Sequence, residues 1–143
     1  MDEYQIVIDT NVFFAALYSQ HGASYKLLSL IDGGKFGSNI SVPLILEYED
    51  VAKRKLDSIS LLAEEVDDII DYICTVANRQ KIFYLWRPFL RDPKDDMVLE
   101  LAVAARCHYI ITFNMRDFYG VEEEFGIGVI KPKEFLQKIG EIA

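Results

Sequence analysis

Asp9 stands where an apolar run stops. Tyr4-Gln5-Ile6-Val7-Ile8 leads directly into it, and Asn11 follows two residues later. An acid in that place can cap the next helix, or it can present a carboxylate to a ligand, because open parallel sheets bind ligands at the carboxyl ends of their strands. Asn11 could take over the capping or orient the carboxylate. A second acidic stretch is Arg91-Asp92-Pro93-Lys94-Asp95-Asp96-Met97-Val98-Leu99. Asp92 fits an N-cap, Pro93 fits the first helical position, and acids suit the positive end of a helix. Asp95 fits that explanation less well, because at helical spacing it shares a face with Val98, Leu99 and Ala102, the side that should pack on a sheet. A charged carboxylate there is costly unless it is paired or bound to a metal. Asp96 sits at the edge of the same face, so either acid can be the one that matters.

Glu47 lies in a helix opened by Pro43, with Leu44 and Val51 at its i−3 and i+4 positions, and so borders the packed side while Glu49 and Asp50 point further toward solvent. The last candidate stretch is Ile111-Thr112-Phe113-Asn114-Met115-Arg116-Asp117-Phe118, where another apolar strand ends among polar residues. Thr112, Asn114 and Asp117 all fall near its carboxyl end, although Asn114 and Asp117 also suit an ordinary turn. Acids from several strand ends and helix starts of one sheet converge on a common edge, and crowded carboxylates repel unless a cation neutralises them. Hard oxygen ligands of this kind suit Mg2+ or Mn2+. Zinc is disfavoured by two histidines and two cysteines, Cys74 and Cys107, that lack zinc-like spacing and read as plain thiols. The chemistry natural to such a cluster is phosphodiester hydrolysis by a metal-activated water. Arg91, Lys94 and Arg116 lie near the same edge and could meet a phosphate backbone, although solvated surface charge explains them as readily.

The elements that must position these residues follow from the hydrophobic periods. Strands are predicted over 4–8, 36–42, 82–86, 109–112 and 129–130, and helices over 12–17, 24–31, 43–56, 94–106 and 133–139. Between Ile59 and Ala77, Leu61, Leu62, Val66, Ile69, Ile70, Ile73 and Val76 recur against an acidic face, which predicts one amphipathic helix or a bent pair. Strands alternating with helices predict an α/β fold with a parallel sheet covered on both faces. At 143 residues, with 51% hydrophobic and 27% charged, residues 1–143 are expected to form a single domain. Met1-Asp2-Glu3, then Asp9 and Asn11, leave no room for a signal peptide or a membrane span, so a soluble cytoplasmic protein is expected. The net charge of -8 runs against the basic footprint usual in nucleic-acid binders, so any RNA contact must be local and metal-assisted.

Taken in order, these segments resemble the PIN-domain family, and within it the VapC-like toxin components. Ile6-Val7-Ile8-Asp9-Thr10-Asn11-Val12 is similar to the family's opening strand and first acid, and Ser41-Val42-Pro43 followed by Glu47-Tyr48 to its second-acid helix. Asp92-Pro93-Lys94-Asp95-Asp96, with Leu99 and Ala102, is similar to the third-acid segment, and 111–118 to the closing motif. The resemblance implies a Rossmann-like, three-layer α/β/α PIN domain and a Mg2+- or Mn2+-dependent endoribonuclease that leaves a 3′-hydroxyl and a 5′-phosphate. Asp9, Glu47 and Asp95 would be its first three acids, with Asp96 close enough to substitute. Many members carry Asp two residues after the closing Thr, where this chain has Asn114; Asp117 could supply the fourth acid, or Asn114 could act as a neutral ligand. Toxin members pair with an antitoxin and commonly form homodimers. Phe13, Phe14, Leu17 and Tyr18 could serve such a surface, with core packing the better account.

Two rival enzyme classes fit less well. Haloacid-dehalogenase-like phosphatases need a second Asp where Asn11 stands, and a receiver-like domain needs a Lys ending a later strand, which 109–112 lacks. The rival outside enzymology is a catalytically silent PIN-like module that binds RNA or a partner protein.

Overall fold

In the computed structural model, which describes residues 3–82 and 89–143, Tyr4–Ile8 forms β1 at the centre of a parallel sheet. Ile6, Val7 and Ile8 are all buried, as a strand covered on both faces requires. The chain first moves to one side of β1, through α1 (Thr10–Tyr18) and α2 (Ala23–Ser29) to β2 (Phe36–Ile40). It continues through α3 (Val42–Arg54), α4 (Leu56–Ile59) and α5 (Ala63–Val76) to β3 (Asn78–Arg79). It then returns to the other side through α6 (Pro93–Ala104) and β4 (Tyr109–Ile111), a 3-10 turn (Met115–Phe118), α7 (Val121–Phe125), β5 (Gly128–Ile130) and α8 (Pro132–Lys138). The strand order is β3-β2-β1-β4-β5, and each pairing is parallel. With helices flanking the sheet, this is a three-layer α/β/α fold. The order reverses at β1, so the crevice at its carboxyl end, between β2 and β4, is the topological switch point.

Aromatic packing closes the core. Phe135 of α8 meets Tyr4, Phe36 and Tyr109 at ring-centre distances of 5.9, 5.4 and 6.0 Å, each edge to face. Phe13 of α1 is buried and stacks on Tyr48 of α3 at 4.4 Å, so core packing is the right account of that residue, while Tyr18 stays exposed. No helix among the described residues is long and apolar enough to cross a membrane.

Several boundaries differ from those predicted. The 36–42 strand stops at Ile40, because Ser41 caps α3 by accepting from Leu44 N, which draws Val42 into the helix. The acidic amphipathic segment is one helix, α5, which starts only at Ala63, where Glu65 reaches back to accept from Leu62 N at 2.9 Å; the short α4 ends at Ile59, and Ser60 follows it in a left-handed conformation at φ 55°. Of the strand predicted over 82–86, Ile82 lies outside any strand and the rest lies outside the described residues. The strand that pairs with β2 is instead the two-residue β3, and Gln80 N extends the ladder to Ile40 O at 2.8 Å.

Candidate active site

The register that sets Ile8 beside Ile111 also brings Asp9 and Thr112 out of the sheet side by side. Asp9 N continues the ladder to Ile111 O at 2.9 Å, and Thr112 N continues it to Ile130 O at 3.0 Å. The capping reading of Asp9 holds, and its second carboxylate oxygen is engaged as well. Its Oδ1 accepts from Thr10 N at 2.8 Å as the N-cap of α1, and its Oδ2 accepts from the Thr112 hydroxyl at 2.8 Å. Asn11 braces the pair: its amide donates to Thr112 Oγ1 at 3.2 Å, and its Oδ1 accepts from Phe113 N at 3.2 Å. Asn114 N donates to the same threonine oxygen at 3.0 Å. Asn11, Thr112 and the backbone of Asn114 therefore form the scaffold that fixes the first carboxylate. Asp9 is only 6% exposed, and burial raises its pKa, opposed by the Thr112 and Thr10 hydrogen bonds and assisted by the charges of Glu47 and Asp117.

Glu47 reaches the same corner from α3. Its Oε1 accepts a hydrogen bond from the Thr10 hydroxyl, which ties the second acid to the residue after the first. Tyr48, the next residue, sends its hydroxyl to the Ile8 carbonyl oxygen. Burial pushes that hydroxyl's pKa well up, and the charges of Asp9 and Glu47 add to the effect, so it stays protonated and donating.

Asp95 enters from the first turn of α6, whose start is built as predicted: Asp92 caps it by accepting from Lys94 N at 2.9 Å, and Pro93 follows. Burial pushes the Asp95 carboxyl up to about 7, and the charges of Asp9, Asp117, Asp92 and Glu47 contribute in that order. Asp117, on the 3-10 turn after β4, thus acts on both Asp9 and Asp95. Asp96 does not join them. Its Oδ1 accepts from Phe89 N and Leu90 N at 3.1 and 2.9 Å, so this acid braces the loop before α6. Of the two alternatives at this position, Asp95 is the one that feels the charges of Asp9, Asp117 and Glu47, while Asp96 is taken up by backbone N–H groups.

None of the ion pairs among the described residues involves Asp9, Glu47, Asp95 or Asp117. Nor, among the described residues, are three carboxylate, imidazole or thiol side chains gathered tightly enough to cage an ion as they stand. The donor set nevertheless fits a hard divalent cation in kind: it is all carboxylate oxygen, mutually repelling and in no ion pair among the described residues. Asp95 and Asp117 make no hydrogen bond through their carboxylates among the described residues, and each acts electrostatically on its acidic neighbours.

Residues 5–116 match the PIN domain. The chain belongs to the PIN-domain family. That places it among nuclease hydrolases. No curated protein is similar enough in sequence to be matched. Among solved structures, this PIN domain resembles a chain of VapBC-1 from nontypeable Haemophilus influenzae, with a TM-score of 0.62 at 13% identity, over 90% of this chain and 98% of that one. It also resembles a chain of VapBC2 from Rickettsia felis, in a structure bound to a DNA fragment from their promoter, with a TM-score of 0.58 at 11% identity, over 87% and 96%. At such identities these likenesses speak for the fold alone.

Beside its carboxylates the PIN domain carries a cleft of about 700 Å³, lined by Phe89, Leu90, Arg91, Asp92, Asp95, Arg116, Asp117 and Tyr119. The volume lies within the range of small-molecule sites. Arg91 and Arg116, two of the three predicted phosphate contacts, line this cleft; Lys94 is exposed and is not among its lining residues. Sequence reasoning missed Thr10 and Tyr48 as parts of the site. A signal existed for Tyr48: it lies at i+4 from Leu44 and i−4 from Ala52, both buried, and a buried tyrosine hydroxyl needs an acceptor. Thr10 gave none, because its partner lies 37 residues away.

Proposed function

We propose that this PIN domain is a Mg2+- or Mn2+-dependent endoribonuclease and the toxin of a toxin–antitoxin pair, a cytoplasmic single-domain protein held in check by a cognate antitoxin protein. The observation that carries the reading is the carboxyl of Asp95, which feels the charges of Asp9, Asp117 and Glu47, none of these acids being in an ion pair among the described residues. Asp9, Asp95 and Asp117 would hold the ion. An ion held there would supply a water of lowered pKa and screening for the charge on the leaving oxygen. Asp9 is held by Thr10 N and the Thr112 hydroxyl, so its orientation is set before substrate arrives. Glu47 uses only Oε1 on Thr10 among the described residues, which leaves Oε2 to accept a proton from the attacking water. Arg91 and Arg116 stand in the adjoining cleft to meet phosphate oxygens.

The test is cleavage of single-stranded RNA by the purified protein with Mn2+ or Mg2+, beside the Asp9→Asn and Asp95→Asn variants. Both variants should be inactive, and excess chelator should silence the wild type. Cleavage that survives chelator, or that continues undiminished in the variants, sinks the proposed site. RNA binding without cleavage would give the cleft to a silent binding module. In bacteria, expression of the wild type but not of Asp9→Asn should arrest growth.

A further inference from the structure

Tyr119 is 87% exposed, more than any other large apolar or aromatic residue among those described, and it faces the cleft that holds Asp95 and Asp117. A lone exposed tyrosine is ordinary. This one is not alone: Phe89, 42% exposed, lines the same cleft, as do both candidate phosphate-binding arginines. We propose that Tyr119 and Phe89 form a nucleobase-stacking subsite that takes an unpaired nucleotide of RNA flanking the scissile phosphate. The proposal rests on the ribonuclease reading and supplies what that reading lacks, a source of affinity and of strand preference.

The platform is built in advance. Gly120 turns the chain directly after Tyr119 at φ 86°, in the left-handed region that side chains other than glycine rarely adopt. A Cβ added there would lie 3.5 Å from Phe89 Cζ, so the phenylalanine ring stands next to the turn, about one methyl group away. The Phe89 ring stands edge-on to Phe125 at 5.1 Å, and its backbone N–H is held by Asp96 at 3.1 Å. Asp96, excluded from the carboxylate cluster, is thereby the residue that anchors one wall of the subsite.

Charge explains why stacking is needed. The chain carries a net charge of -8, and the cleft sets Asp92, Asp95 and Asp117 against Arg91 and Arg116. Phosphate contacts alone are a poor grip in such a field. Base–aromatic stacking is indifferent to net charge and tolerant of sequence, since every base has a π face. Base pairing and stacking inside a duplex hide those faces, so a site of this type selects single strands.

The probe is a short, mixed-sequence single-stranded oligoribonucleotide, bound in Ca2+ and cleaved in Mn2+, with the same sequence as a duplex for comparison. Tyr119→Ala and Phe89→Ala should each weaken binding of the single strand by about 5- to 150-fold, the range seen for one stacked base. Tyr119→Phe should recover most of the loss, and Tyr18→Ala, an exposed tyrosine outside the cleft, should lose nothing. An oligoribonucleotide carrying 5-iodouridine should crosslink to Tyr119 or Phe89, which a merely structural role would not produce. Unchanged binding in Tyr119→Ala overturns the subsite, and the exposed ring is then a contact for a partner protein. Equal affinity for the duplex also overturns it, as does failure of the wild type to bind the single strand at all. The ribonuclease reading is judged separately by cleavage in Mn2+: if Tyr119→Ala loses binding while no form cleaves, the subsite stands and the nuclease reading falls.

Discussion

The Tyr48 hydroxyl donates to the carbonyl oxygen of Ile8, the residue before Asp9, and Glu47 precedes Tyr48 in α3. One hydrogen bond across 40 residues therefore locks the helix carrying the second acid to the strand end carrying the first. Stacking of Tyr48 on Phe13 fixes the same ring from the side of α1. Tyr48→Phe keeps the stack and removes the bond. We expect a loss of about 1 kcal/mol in urea unfolding, together with weaker Mn2+ binding by calorimetry. Unaltered Mn2+ affinity would reduce Tyr48 to a packing residue.

Asp95 gives a pH signature in metal-free protein. Its folded pKa of about 7 lies above the unfolded carboxylate value, so the group's contribution to stability is fully present below about pH 4 and is lost as pH rises through 7. Thermal unfolding in chelator should show this decline, and Asp95→Asn should flatten it and raise Tm at neutral pH. Because Asp95 is partly open to solvent, screening limits the gain to about 1 kcal/mol, or roughly 2–4 °C. A neutral-pH Tm that falls in Asp95→Asn would show that the carboxylate is a structural partner rather than an uncompensated charge.

Asp117 and Asn114 are separable. Asp117 acts electrostatically on Asp9 and Asp95, whereas Asn114 contributes its backbone N–H to Thr112. Asp117→Asn should therefore lower cleavage or Mn2+ affinity by at least the roughly 10- to 100-fold that loss of an outer-shell partner costs, and Asn114→Ala should change either little. The reverse order of effects would make Asn114 the fourth ligand.

Asp96→Ala should behave as a structural variant. Losing the acceptor for Phe89 N and Leu90 N costs about 1–2 kcal/mol in unfolding, while Mn2+ affinity of the folded protein is retained. A loss of Mn2+ affinity as large as that of Asp95→Asn would return Asp96 to the cluster.

Salt titration of RNA binding should be shallow. With Arg91 and Arg116 as the phosphate contacts, the slope of log K against log salt for a single strand is about −1.4. A slope steeper than about −4 would require a basic surface elsewhere on a chain whose net charge is -8.

The order of the acids along the chain was legible in the sequence, because strand ends and helix starts are set by local pattern. The β-branched run Ile6-Val7-Ile8 gives way at Asp9, and Asp92-Pro93 suits the cap and first position of the helix that follows it. The α/β architecture followed from the alternation of those elements. Local pattern failed at β3, a two-residue edge strand of Asn78 and Arg79 with no apolar run, which exists because β2 offers it backbone partners. Helical phase already put Asp95 on the packed face of α6 in the sequence; only the tertiary structure showed a loop folding back onto Asp96 and occupying its carboxylate. It alone joined Thr10 to Glu47 and Tyr48 to Ile8, and brought Tyr119 beside Phe89. Periodicity fixes which face of an element a residue occupies, to within a turn or a pleat. Whether two side chains from distant elements meet within hydrogen-bond distance depends on packing that no local window contains.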